Sequence, residues 1–271
     1  MDTRPLLFLD SGIGGIPYCR HFNQRNPAET IYYLADRFHF PYGTREQAEL
    51  VGILTTLVEK LTKTVNPKIA VLACNTATVS ALAELRQCFT ALPFVGTVPA
   101  IKPAMQACKT GKVGVLGTAR TIEDPYIRNL AGGECEIYGI AAPELVTFVE
   151  QRFFLADESE KSEMAKKYIA LFRTAGVDTI VLGCTHFIFL LEEFKKEAAS
   201  AVTSPIKIFD SLDGITQRIE SLLDENNNTL RADNKAPPRN RIILTGTEPP
   251  DNSWQSLAEQ LGFELSLADE L

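Results

Sequence analysis

Cys74 and Cys184 close two similar phrases, Val71-Leu72-Ala73-Cys74-Asn75-Thr76 and Val181-Leu182-Gly183-Cys184-Thr185-His186, 110 residues apart. In each, an apolar run and one small residue deliver a thiol to polar neighbours, the pattern of a buried strand ending where a helix begins. A helix N-terminus favours an anion, so a thiol there can work as a thiolate, either nucleophile or base. A second pair of phrases, Leu7-Phe8-Leu9-Asp10-Ser11-Gly12 and Gly114-Val115-Leu116-Gly117-Thr118-Ala119, keeps the same order, with Ser11 and Thr118 107 residues apart. Nearly equal offsets imply two related α/β halves, each presenting one thiol beyond the carboxyl end of a strand. Two symmetric thiols suit a reaction run from both faces of one substrate.

The neighbours of these thiols are suited to holding a small charged molecule. Asn75, Thr76 and Thr185 offer neutral donors for a carboxylate. Asp10-Ser11-Gly12-Ile13-Gly14-Gly15 follows a strand and opens a helix, so its glycines let backbone N–H groups approach an anion; it matches neither a dinucleotide-binding fingerprint nor a Walker loop, and a tight turn capped by Asp10 is the plainer alternative. His186, two residues from Cys184, is placed to relay a proton or stabilise a thiolate. Asp36 and Tyr42, in Asp36-Arg37-Phe38-His39-Phe40-Pro41-Tyr42-Gly43, follow a strand end and so fall near the same region. By pattern alone Glu150 reads as a solvated helical residue, and His21 and His39 as structural or surface groups. Cys19, Cys88, Cys108 and Cys135 have no comparable context and read as packing residues.

Other cysteine chemistries fail on spacing. Ala77 and Phe187 stand where a Cys-x-x-Cys couple needs its second thiol, and Ser80 and Leu190 where a phosphatase-like loop needs arginine. Histidines at 21, 39 and 186 give no local zinc cluster. A single-thiol Cys/His hydrolase stays open, but it leaves the repeat unexplained.

The elements that must carry these residues are strands and helices in alternation. Short apolar runs bounded by Gly, Pro or polar residues predict parallel strands at Leu6–Leu9, Ile31–Leu34, Ile69–Ala73, Val95–Val98, Val113–Leu116, Ile137–Ile140, Thr179–Leu182, Ile206–Phe209 and Ile242–Leu244. Leu50, Leu54, Leu57, Val58 and Leu61 share one face of a helix over 46–64; Met164, Tyr168, Leu171 and Phe172 share another. The expected fold is α/β, with two pseudo-symmetric doubly wound domains, mainly parallel sheets and an active site in the cleft between them. Boundaries near Gly96–Pro99 and Ser204–Pro205 divide the chain into a first domain of residues 1–97 plus 206–271 and a second of 98–205. The return to the first domain is expected through Ile206–Phe209 and a helix over 214–223. Glu225–Arg241 reads as a surface connection, and a last strand with a helix around Trp254–Leu261 is expected to complete a sheet edge.

Composition narrows the function classes. The chain has 271 residues, 45% of them hydrophobic and 23% charged, enough for packed domains rather than disorder. A net charge of −7 without a Lys/Arg cluster argues against nucleic acid as a partner. The start Met1-Asp2-Thr3-Arg4-Pro5 lacks the layout of a signal peptide, and no run reaches about 18 apolar residues, so a cytoplasmic protein without a membrane partner is expected. Six scattered cysteines fit reduced thiols better than a disulfide framework.

Taken together, the motifs resemble the cofactor-independent aspartate/glutamate racemase superfamily, and glutamate racemases within it, over nearly the whole length. The resemblance rests on Asp10-Ser11-Gly12-Ile13-Gly14-Gly15, Asp36 with Pro41-Tyr42-Gly43, Cys74-Asn75-Thr76-Ala77-Thr78, Gly96-Thr97-Val98-Pro99-Ala100-Ile101-Lys102-Pro103-Ala104, Gly117-Thr118 with Thr121, and Leu182-Gly183-Cys184-Thr185-His186. It implies interconversion of L- and D-glutamate without pyridoxal phosphate, other cofactor or metal, feeding peptidoglycan synthesis. It also implies that Cys74 deprotonates D-glutamate and Cys184 L-glutamate. Substrate contacts would fall to Asp10, Ser11, Tyr42, Gly43, Asn75, Thr76, Thr118, Thr121, Thr185 and His186, and assistance in proton transfer to Asp10, Asp36, Glu150 and His186. A homodimer is compatible with the resemblance, though no exposed stripe marks an interface. Three positions depart from the usual pattern: Ala142 replaces a cysteine, Asp124 a serine, and Phe187-Ile188 a Tyr-Pro pair. An aspartate racemase, a two-domain amino-acid binding protein without chemistry and a single-thiol hydrolase remain as alternatives.

Overall fold

The computed structural model describes residues 2–200, 205–225 and 238–268. The chain divides into two compact units, Met1–Thr97 with Leu212–Leu271, and Val98–Ser211.

In the first unit the alternation begins with β1 (Leu6–Asp10), α1 (Ile16–Arg25), β2 (Ile31–Ala35), α2 (Gln47–Thr64), β3 (Ile69–Leu72), α3 (Asn75–Cys88) and β4 (Phe94–Gly96). The second unit carries α4 (Ile101–Ala107), β5 (Lys112–Gly117), α5 (Ala119–Glu123), α6 (Pro125–Ala131), β6 (Glu136–Ala141), α7 (Pro143–Gln151), α8 (Glu158–Thr174), β7 (Thr179–Leu182), α9 (Leu191–Ala199) and β8 (Lys207–Phe209). The chain then adds α10 (Leu212–Glu225), β9 (Arg241–Leu244), α11 (Asn252–Leu261) and β10 (Glu264–Leu267) to the first unit.

The two sheets run β10-β9-β2-β1-β3-β4 and β6-β5-β7-β8, with parallel pairing throughout. Without β9 and β10, the first order is β2-β1-β3-β4, and the second repeats it strand for strand. Strand order reverses between β1 and β3 and again between β5 and β7, the switch points at which doubly wound sheets open a crevice beyond their strand ends. Central strands buried on both faces explain the continuous apolar runs: β1, β3 and β7 are buried along their whole length.

Helical faces follow the 3.6-residue period. Leu50, Leu54, Val58 and Leu61 of α2 lie at 2% exposure or less, each such burial being worth about 1.5–3 kcal/mol. On α8 the buried stripe is Ala165, Tyr168, Ile169 and Phe172, while Leu171, expected to share it, is 45% exposed. Asp157 and Glu160 close a capping box at the start of that helix.

Two sequence expectations are corrected. Ile206–Phe209 does not re-enter the first sheet: Lys207, Ile208 and Phe209 pair with β7, so the crossing between units follows β8. The first sheet ends on β10, not on β9 with α11; Glu264–Leu267 is a short, half-exposed edge strand in which Leu265 and Leu267 alternate with polar residues. Most of the connection Glu225–Arg241, and Ser204 of the expected boundary, lie outside the described residues. Among the described residues no helix is long and apolar enough to cross a membrane.

Candidate functional site

The same backbone bonds assemble a matching cluster of residues in each unit. In the first, the Ala73 amide donates to the Leu9 carbonyl at 2.8 Å, and the Asp36 amide to the Asp10 carbonyl at 2.8 Å. Asp10-Ser11, Asp36 and Cys74 therefore leave adjacent strand ends side by side. In the second, the Gly183 amide donates to the Leu116 carbonyl at 2.7 Å and the Ala142 amide to the Gly117 carbonyl at 3.0 Å. This sets Gly117-Thr118 beside Cys184. Ala142 stands where the first unit has Asp36, so the two clusters are not chemically identical.

Cys74 is buried, in extended backbone, and forms the N-cap of α3. Asn75, one residue on, is 2% exposed, and neither its amide nitrogen nor its amide oxygen has a hydrogen-bond partner among the described residues. A buried carboxamide unsatisfied at both ends is costly in a folded protein and marks a position that a polar ligand can satisfy. Thr76 is buried beside it.

The loop after β1 is tightly held. Asp10 Oδ1 accepts the Gly12 amide at 2.8 Å, while the Tyr33 hydroxyl donates to the Gly12 carbonyl at 2.7 Å and accepts the Gly15 amide at 3.1 Å. Gly15 is there because a Cβ would stand 2.7 Å from the Ala73 Cβ and 2.9 Å from its carbonyl oxygen. The loop consequently lies flush against the residue preceding Cys74.

Asp36 is fully buried and receives three side-chain donors. Tyr42 Oη lies 2.7 Å from Oδ2, His39 Nδ1 2.8 Å from the same oxygen, and Thr245 Oγ1 2.7 Å from Oδ1. Burial, reinforced by the Asp36 charge, holds the Tyr42 phenol well above its ordinary pKa, so it remains a donor. Gly43 lies next to it in the 3-10 turn Tyr42–Thr44. His39, expected to be structural, thus belongs to this network, and Thr245 was not foreseen. A cavity of about 300 Å³ adjoins the network, lined in part by Asp36, His39, Lys60 and Thr245.

In the second unit Cys184 precedes a 3-10 turn, Thr185–Leu190, rather than an α-helix. His186 Nδ1 lies 3.7 Å from Cys184 Sγ, and His186 Nε2 lies 2.7 Å from Glu150 Oε1. Burial alone would depress the imidazole pKa; hydrogen bonding and charge from Cys184 and Glu150 outweigh it and hold His186 well above its usual value. As imidazolium it donates from both nitrogens. Glu150 is therefore an internal partner and not the solvated residue its pattern suggested. Phe153 and Phe154, just past α7, pack against Phe189 with ring centroids 5.1 and 6.1 Å away, locking the end of α7 onto the turn that carries His186.

Thr118 caps α5, accepting the Thr121 amide at 3.3 Å and donating to the Thr121 hydroxyl at 3.0 Å. The three departures have structural roles: Asp124 caps α6 by accepting the Tyr126 amide at 2.9 Å, Ala142 is the buried N-cap of α7, and Phe187 and Ile188 are buried. Of the remaining cysteines, Cys19 is buried and its thiol is pushed far up by desolvation, whereas Cys88 is exposed, against the packing role expected of it. Among the described residues no group of three or more His, Cys, Asp or Glu side chains is arranged to hold a metal ion.

The sequence profile of Asp/Glu/hydantoin racemases matches residues 16–217. The chain belongs to this family. It is an isomerase of the amino-acid racemase class. A glutamate racemase of Treponema pallidum is 36% identical over 214 residues, 78% of each chain. One from Brucella anthropi is 34% identical and covers 97% of this chain and 94% of its own. Among solved structures, Escherichia coli glutamate racemase in complex with L-glutamate and the activator UDP-MurNAc-Ala superposes with a TM-score of 0.80 at 29% identity, covering 97% of both chains. The racemase profile spans Asp36, Cys74, Glu150, Cys184 and His186 but excludes Asp10, Ser11 and Thr245.

Proposed function

We propose that this protein is a glutamate racemase that interconverts L- and D-glutamate with two cysteine bases and no cofactor, supplying D-glutamate for peptidoglycan in the cytoplasm. The observation that carries this reading is the duplicated half-site: a buried thiol after the third strand of each β2-β1-β3-β4-type sheet, with a serine or threonine after the neighbouring strand. The names of the relatives support glutamate as the substrate.

In this mechanism the Cys74 thiolate removes the α-proton of D-glutamate and becomes a thiol. The carbanion then takes a proton from the Cys184 thiol on the opposite face, giving L-glutamate and a Cys184 thiolate; the reverse reaction exchanges the roles. An α-carbanion is a high-energy species, so preorganised donors must meet the charge that develops on the adjacent carboxylate. Asn75, Thr76, Ser11 and Thr185 are the groups we assign to that task, with Thr118 and Thr121 as further contacts. Asp10 and Asp36 assist at Cys74. His186, held protonated by its place between Cys184 and Glu150, stabilises negative charge on the Cys184 sulfur.

The test is incubation of the protein with each enantiomer in deuterium oxide without pyridoxal phosphate, following racemisation by circular dichroism and α-hydrogen exchange by NMR. Wild type is expected to racemise both enantiomers. Cys74→Ser and Cys184→Ser should each lower racemisation by about 10²–10⁴-fold. Cys74→Ser should retain exchange of L-glutamate only, and Cys184→Ser of D-glutamate only. A wild type inert toward glutamate but active on aspartate would reassign the substrate; loss in only one variant would point to single-thiol chemistry. Light scattering at several concentrations tests the homodimer that the resemblance suggests, and rescue of a D-glutamate auxotroph tests the biosynthetic role.

A further inference from the structure

We propose that Thr245 is a positioning residue for proton transfer at Cys74, acting through Asp36; this deepens the racemase reading and rests on it. Thr245 lies outside the racemase profile, which ends at residue 217. It reaches the site because β9 runs parallel beside β2 with Leu244 opposite Ala35, so the next residue on each strand, Thr245 and Asp36, are also neighbours. The Thr245 amide donates to the Ala35 carbonyl at 3.0 Å and anchors the backbone.

The direction of the Thr245 hydroxyl is fixed from both sides. Its oxygen accepts the Phe38 amide at 3.1 Å, leaving its proton to Asp36 Oδ1 at 2.7 Å. Tyr42 and His39 hold the other carboxyl oxygen at 2.7 and 2.8 Å. With one oxygen tied to β9 and the other to Tyr42, the carboxyl plane cannot rotate without breaking a buried hydrogen bond. Tyr42 carries the link onward, since it feels the charge of Cys74 as well as that of Asp36 and shares a hydrophobic cluster with the thiol. The second unit has no such device: Ala142 occupies the matching strand end, and Cys184 depends on His186 and Glu150 instead. Thr245 is therefore expected to affect one of the two proton transfers and not the other.

The discriminating measurement is the primary isotope effect with α-deuterated D- and L-glutamate in Thr245→Val. Because racemisation has an equilibrium constant of one, kcat/KM must fall equally in both directions, by about 10- to 100-fold for a misplaced group. The isotope effects need not move together. Slowing the Cys74 step makes deprotonation of D-glutamate more rate-limiting, so its isotope effect rises; from L-glutamate, deprotonation by Cys184 becomes more reversible, so its isotope effect falls. Thr245→Ser, which keeps the hydroxyl, should restore wild-type behaviour. Should valine prevent folding, Thr245→Ala removes the same hydroxyl beside an existing cavity and replaces it in the measurement.

Lower activity with both isotope effects unchanged, or no rescue by serine, overturns the positioning role. A wild type that turns over neither enantiomer overturns instead the racemase reading beneath it, so the two failures are distinct.

Discussion

Glu150 accepts a hydrogen bond from His186 Nε2 at 2.7 Å, while the other ring nitrogen faces the Cys184 sulfur at 3.7 Å. A carboxylate thus sits behind the imidazole and a thiol in front of it. Glu150→Gln keeps the shape and removes the charge. Cys184 still supports the charged ring, but burial is then less fully opposed and the His186 pKa should fall, read by ¹⁵N NMR of the ring. The rate should fall about 10- to 100-fold, as when a group orienting a catalytic partner is lost. A ring that titrates as in wild type would refute the assigned partnership.

The same pair sets a pH dependence of stability. The folded-state pKa of His186 lies above its unfolded value, so the stabilisation is complete below about pH 6.5 and is lost as pH rises through the higher folded value. Denaturant unfolding of wild type and His186→Gln should show a gap that is constant in acid and narrows progressively above pH 6.5. A gap that widens with pH would reverse the sign of the argument.

Asn75→Ala separates binding from stability. The buried amide has no partner among the described residues to lose, so the variant should be as stable as wild type or more so, whereas removal of a bonded buried amide costs about 1–3 kcal/mol. KM for glutamate should nevertheless rise, by about 10- to 100-fold for one lost hydrogen bond to a charged group. Thermal melts without substrate and steady-state kinetics check the two halves.

Gly15→Ala forces a methyl to within 2.7 Å of the Ala73 Cβ. The expected cost is about 1–3 kcal/mol of stability by overpacking, together with a raised KM as the loop bearing Ser11 shifts. An unchanged melting curve would show that the loop has slack the distances deny.

Lys68 and Glu29 form a buried ion pair at 2.5 Å, with side chains 0% and 3% exposed, and Lys68 also donates to the Asp2 carbonyl at 2.9 Å. Lys68→Met takes the cation from a buried carboxylate and should cost about 3–5 kcal/mol. The double variant Lys68→Met, Glu29→Leu should recover most of that loss in urea unfolding.

Much of this architecture was legible in the sequence because central parallel strands are apolar without interruption, and because the thiol phrases repeat at nearly constant offset. Edge strands were harder. Glu264–Leu267 carries only a short alternation of Leu265 and Leu267 with polar residues, and Ile206–Phe209 reads identically whichever sheet it joins. Among site residues, Cys74, Cys184 and Asn75 stand next to strand ends that the pattern locates. Thr245 does not: its contact with Asp36 arises from pairing across more than 200 residues, between β2 and β9, and a threonine after an apolar run is unremarkable. Glu150 looked solvated because a helical pattern cannot reveal that three aromatic rings, Phe153, Phe154 and Phe189, bring a separate turn against that helix.

The placement of β9 has a consequence for biosynthesis. The sheet that leads into Cys74 begins with Leu6, yet the strand that leads into Thr245 leaves the ribosome only after the whole of Val98–Ser211. The unit started first is finished last. A nascent chain can already close the Cys184–His186–Glu150 network while Asp36 still lacks the hydroxyl of Thr245. Translation therefore completes the surroundings of the two thiols in the order opposite to that in which the thiols are encoded.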